Sequence, residues 1–66
     1  MSYVIDSAFY ARVLNQLAET DGVPAVHLAA ALGEDAARVK RVLKEAADLG
    51  QVVRRGRARG TTWWLG

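Results

Sequence analysis

The stretch from Asp35 to Trp64, DAARVKRVLKEAADLGQVVRRGRARGTTWW, constrains the fold more than any other part of the chain. Two hydrophobic periods meet inside it. At a helical period of 3.6 residues per turn, Ala36, Val39, Leu43 and Ala46 fall on one side with Val42 beside them. Ala37, Arg41, Lys44 and Asp48 fall on the opposite side, flanked by Arg38, Lys40 and Glu45. Gly50 ends that pattern. Residues 51–55 and 61–65 are then rich in β-branched and aromatic side chains, and they flank the loop Gly56-Arg57-Ala58-Arg59-Gly60. The stretch therefore reads as a helix, a stop and a hairpin. Eight of the nine Lys and Arg side chains lie in it: Arg38, Lys40, Arg41, Lys44, Arg54, Arg55, Arg57 and Arg59.

The charge is unevenly divided. Residues 1–35 carry one basic against five acidic side chains, and residues 36–66 carry eight basic against two acidic, giving −4 and +6 within a net +2. A basic face confined to two adjacent elements points to a polyanionic partner. With 66 residues, one domain over 1–66 is the expectation. A domain so small buries only about 60% of its unfolded surface, so an economical core or self-association must stabilise it. There is no cysteine, hence no disulfide and no thiolate metal site. No apolar run approaches the roughly 18 residues of a membrane span. The beginning, MSYVIDSAF, lacks the basic segment and long apolar core of a signal peptide. A cytoplasmic protein without membrane contact is expected.

Before Asp35 the chain reads as two more helices. Phe9, Tyr10, Val13, Leu14, Leu17 and Ala18 follow amphipathic spacing over 7–19, with Asp6 or Ser7 as N-cap. Thr20-Asp21-Gly22 closes that helix, and Val23-Pro24 favours extended backbone, consistent with a short strand near Val23. A second helix spans about 25–32, with Val26, Leu28, Ala29 and Leu32 expected inward and Gly33 as its stop. Asp35 is placed to cap the third helix, over 35–49. In the last strand, alternation sends Trp63 and Leu65 to the core and Trp64 to the other face.

The order helix, short strand, helix, tight turn, helix, strand, basic loop, strand resembles the winged helix-turn-helix fold, an α+β architecture that is mostly helical. Val26 to Gly33 resembles its first helix and turn, Ala36 to Leu43 its recognition helix, and Arg54-Arg55-Gly56-Arg57-Ala58-Arg59-Gly60-Thr61 its wing. The likeness covers about residues 7–65, and the pattern resembles bacterial regulators of the MarR and ArsR kind. Gln51 departs from it, standing where an apolar residue is frequent. With nothing after the wing, a single His and no Cys, ligand or metal sensing is not expected, and no cofactor is implied.

The resemblance implies a small DNA-binding regulator that holds double-stranded DNA, placing the third helix in the major groove and the wing on the minor groove or backbone. Arg38, Arg41 and Lys44 are then candidates for base edges or flanking phosphates, with Lys40 beside them and Ala37 against a thymine methyl. Arg57 and Arg59 suit the minor groove or a phosphate backbone, and Arg54 and Arg55 phosphate or water. Typical specific affinity needs two such modules, so a homodimer is expected. Tyr3, Phe9 and Trp64 are candidates for packing or for the dimer contact. The alternatives are a winged helix serving protein contact within an assembly and a non-specific architectural binder of nucleic acid. An enzyme is not expected. His27 has no triad partners at a suggestive spacing, and no glycine loop precedes a helix to cradle phosphate.

Overall fold

The computed structural model describes residues 7–57 and 60–66. Three helices, α1 (Ser7–Ala18), α2 (Ala25–Leu32) and α3 (Ala36–Asp48), are followed by a hairpin of β1 (Val52–Arg55) and β2 (Thr62–Leu65). Each element lies within a residue or two of its expected bounds. The strands pair antiparallel with Val52 opposite Leu65, Val53 opposite Trp64, Arg54 opposite Trp63 and Arg55 opposite Thr62. The expected strand near Val23 is a single antiparallel bridge to Trp63, closed by reciprocal backbone hydrogen bonds of 3.2 and 2.9 Å. A two-stranded hairpin is marginal alone, and this bridge ties β2 to the connection between α1 and α2.

One apolar stripe from each helix makes the core. Phe9, Val13 and Leu17 come from α1; Ala25, Leu28 and Ala29 from α2; Val39, Val42, Leu43 and Ala46 from α3. Val52 and Trp63 close it from the hairpin. Truncating a fully buried leucine such as Leu17 or Leu43 to alanine removes about 2–5 kcal/mol, a large part of what a small domain has.

Four side chains depart from expectation. Val26 is 65% exposed, because the inward stripe of α2 is Ala25, Leu28, Ala29 and Leu32, and Val26 lies one helical step off it. Ala18 is exposed at the end of α1. Leu65 has the inward parity of Trp63 but sits in the terminal pair of the ladder and stays 50% exposed. Asp35 occupies the N-cap position of α3, yet its side chain makes no capping hydrogen bond. Asp6 lies outside the described residues. Gln51, anomalous for an apolar position, accepts a hydrogen bond from the Tyr10 hydroxyl.

Two glycines are required by close approach as well as by backbone shape. Gly22 has φ +89°, and a Cβ there would stand 2.2 Å from the Trp64 indole. Gly56 has φ +82°, and a Cβ would stand 2.3 Å from the Gly60 carbonyl oxygen across the neck of the hairpin loop.

Candidate nucleic-acid interface

The outward face of α3 is divided between two flanks. Arg38 and Lys40 are two residues apart, so they point to nearly opposite sides of the helix. The Lys40 flank, continued by Lys44, faces the start of α2 and the hairpin. Lys40, Lys44 and Arg54 surround an open groove with Pro24, Thr61 and Trp63 on its walls. Arg54 arrives there because it pairs directly with Trp63, and directly opposed residues of an antiparallel ladder share a face. Among the described residues no carboxylate pairs with Lys40, Lys44 or Arg54. Three cations therefore converge on one concave surface with no anion among the described residues paired to them. Ala37 and Arg41 lie on the adjoining outward surface of α3 and are exposed.

Arg38, expected beside Arg41 and Lys44, lies on the other flank of α3 and does not line the groove. Its guanidinium lies 4.2 Å from the centroid of the Phe9 ring and donates to a Glu34 oxygen at 3.3 Å. Arg12 donates to the other Glu34 oxygen at 3.4 Å and to the Leu32 carbonyl at 3.3 Å, serving the C-terminal end of α2. This cluster joins α1 to the turn between α2 and α3. Both arginines are about half exposed, so each ion pair contributes about 0–1 kcal/mol.

The hairpin divides its arginines as α3 does. Arg55 has the opposite parity to Arg54 and lies on the outer face, its guanidinium 5.2 Å from the Trp64 ring. Trp64 is half-buried against Gly22, and its indole Nε1 donates to Thr62 Oγ1 at 2.9 Å. The outer tryptophan thus packs on its own chain. Phe9, a second candidate for a subunit contact, is in the core at 4% exposure and is unavailable to a partner. Arg57 is exposed beside the loop, its carbonyl accepting from the Gly60 amide at 3.0 Å. Tyr3 and Arg59 lie outside the described residues.

Five residues of the groove lining are not among the expected interface residues: Pro24, Ala25, Val26, Thr61 and Trp63. Trp63 was assigned to the core, which is right, but one edge also lines the groove. Hairpin register carries the missing signal, because it sets Trp63 against Arg54. Among the described residues no cluster of three or more His, Asp or Glu side chains is arranged to hold a metal, and no helix is long and apolar enough to cross a membrane.

No family profile and no curated protein matches the sequence. Solved structures do. The Zalpha domain of PKZ from Carassius auratus, in complex with Z-DNA, superposes with a TM-score of 0.81 at 20% identity, over 91% of this chain and 95% of that one. A Zalpha domain of Cyprinid Herpesvirus 3, studied in its binding to Z-DNA, gives 0.80 at 28% identity, over 96% and 100%. A MarR family transcription regulator gives 0.79 at 32% identity, over 86% of this chain, which spans 40% of the regulator's length. The chain is a winged helix-turn-helix domain, mostly helical, with β1 and β2 as its wing.

Proposed function

We propose that this chain binds double-stranded DNA, with α3 laid against the duplex and the hairpin gripping the backbone beside it. The observation that carries this reading is the convergence of Lys40, Lys44 and Arg54 on one groove where, among the described residues, no carboxylate pairs with them. Cations so arranged exchange counterions on the nucleic acid for their own charge. Arg41 and Ala37 extend the contact along α3, with Arg41 suited to a guanine edge or a phosphate. Arg57 beside the loop, with Arg59 two residues on in sequence, serves the minor groove or the next phosphates, and Arg55 supports the wing from its outer face through Trp64. Arg38 is left to positioning α3. The biological role that fits is a small transcriptional regulator, associated with the nucleoid in the cytoplasm and acting as a homodimer, since one module buries only about 600–1,000 Å² on DNA.

A second reading concerns the form of the duplex. The two Zalpha domains align over nearly their whole length, and both bind Z-DNA. If this chain shares that preference, the Lys40–Lys44–Arg54 groove holds a left-handed backbone and α3 does not enter a deep major groove.

Both readings are tested by titrating the protein with a mixed-sequence B-form duplex and with an alternating cytosine–guanine duplex held left-handed by bromination, at several salt concentrations. Neutralising about five phosphates gives a slope of log K against log salt near −4 to −5. Tighter binding to one duplex at equal salt decides the form. No binding to either at low salt rejects DNA as the partner and leaves an acidic protein surface as the target of the groove.

A further inference from the structure

Beside the cationic groove the recognition surface carries a patch that charge does not explain. Val26 at the start of α2 is 65% exposed, the most exposed of the large apolar side chains among the described residues. It lines a shallow open depression with Ala36 and Ala37 of α3, and Lys40, Arg41 and Lys44 stand around it. The apolar floor offers no donor or acceptor, so it cannot read the polar pattern of a base edge. It also has nothing to offer a phosphate, which the surrounding cations take. What suits it is a small apolar projection on an otherwise polar, anionic partner. In the major groove of a right-handed duplex that group is the C5-methyl of a pyrimidine, which thymine carries.

We infer that Val26 and Ala37 form a methyl seat, so that the protein discriminates duplexes by the thymine C5-methyl while the surrounding Lys and Arg residues hold the backbone. This rests on the DNA-binding reading and adds a specificity determinant to it. Val26 comes from α2 rather than from the recognition helix, so the seat exists only where the two helices meet. The pair of elements, not α3 alone, sets the preference.

The test compares alternating adenine–thymine and adenine–uracil duplexes, which differ only in that methyl, with wild-type protein and with Val26→Ser. Val26 is exposed, and serine has a helix propensity similar to valine, so the variant keeps the fold, checked by its thermal transition. Wild type is expected to bind the thymine duplex about threefold to fivefold more tightly, the effect of burying about one methyl group. Val26→Ser is expected to bring that ratio clearly towards one. A ratio of one in wild type, or a ratio that survives in Val26→Ser, overturns the methyl seat while DNA binding stands. A duplex with and without cytosine C5 methylation separates the two methyl sources: a gain there, with none on thymine, overturns thymine as the group read. Failure to bind any duplex overturns the DNA reading and the seat with it.

Discussion

The two flanks of α3 carry the same kind of side chain to opposite ends. On one flank Arg38 is engaged by Glu34 and the Phe9 ring, inside a cluster that also holds Arg12. On the other, Lys40 and Lys44 face a groove shared with Arg54, where no carboxylate of the described residues answers them. The hairpin repeats the division, with Arg54 beside Trp63 on the groove side and Arg55 over Trp64 on the other. Basic residues adjacent in sequence are thus sorted into those engaged by neighbouring side chains and those that no carboxylate of the described residues pairs with. A charge count does not make that distinction; the geometry of the neighbouring element does.

Four substitutions bear on this division, from the largest effect to the smallest. Trp63→Ala removes a core side chain that also walls the groove. Its unfolding free energy, measured by chemical denaturation, is expected to fall by about 3–5 kcal/mol. A loss under 1 kcal/mol would mean that the groove does not depend on the core beneath it. Gly22→Ala forces a side chain onto a backbone with φ +89° and into the Trp64 ring. A cost of about 1–3 kcal/mol in the same assay is expected. Gly22→Ala in a Trp64→Ala background should recover the steric part of that loss, and failure to recover any would dissociate Trp64 from the turn.

The other two address the flanks directly. Lys40→Ala with Lys44→Ala should reduce the magnitude of the salt slope for DNA by about two and weaken binding across sequences alike, with folding stability nearly unchanged. Arg38→Ala should behave in the reverse manner. It loses about 1 kcal/mol of stability, from a cation–π contact and a partly exposed ion pair, and leaves the salt slope where it was. Were Arg38→Ala to flatten the slope as the double variant does, the two flanks would not be functionally distinct.

Most of the fold was legible in the chain because its punctuation is strong. Gly33 and Gly50 take the left-handed backbone that their position just after a helix requires, and Gly22 takes it in the turn between α1 and Val23. The stripes of α1 and α3 bury most of the residues their period selects, with Ala18 exposed and Tyr10, Leu14 and Ala36 half-buried. Val26 shows where such reading failed: hydrophobicity suggested an inward side chain, while the period of α2 puts it outside. Leu65 failed for another reason. Parity chooses a face of the sheet but does not say whether anything covers that face at the end of the ladder. In the groove, the sequence pattern points to Lys40, Lys44 and Arg54 but does not separate them from Arg38, which lies on the other flank, and it does not point to Pro24, Thr61 or Trp63.

The sequence by itself determined three helices and a basic hairpin, their order, and the concentration of positive charge after Asp35. Those properties are local: spacing along a helix, alternation along a strand, and glycine where the backbone must turn left-handed. Only the tertiary structure decided which cations share a groove. That depends on the pairing of Arg54 with Trp63, on the approach of α2 to α3, and on Glu34 reaching both Arg12 and Arg38. Each is a contact between residues far apart in the chain or on different elements. A one-dimensional period does not encode the distance between two elements, and it is that distance which separates a partnered charge from an available one.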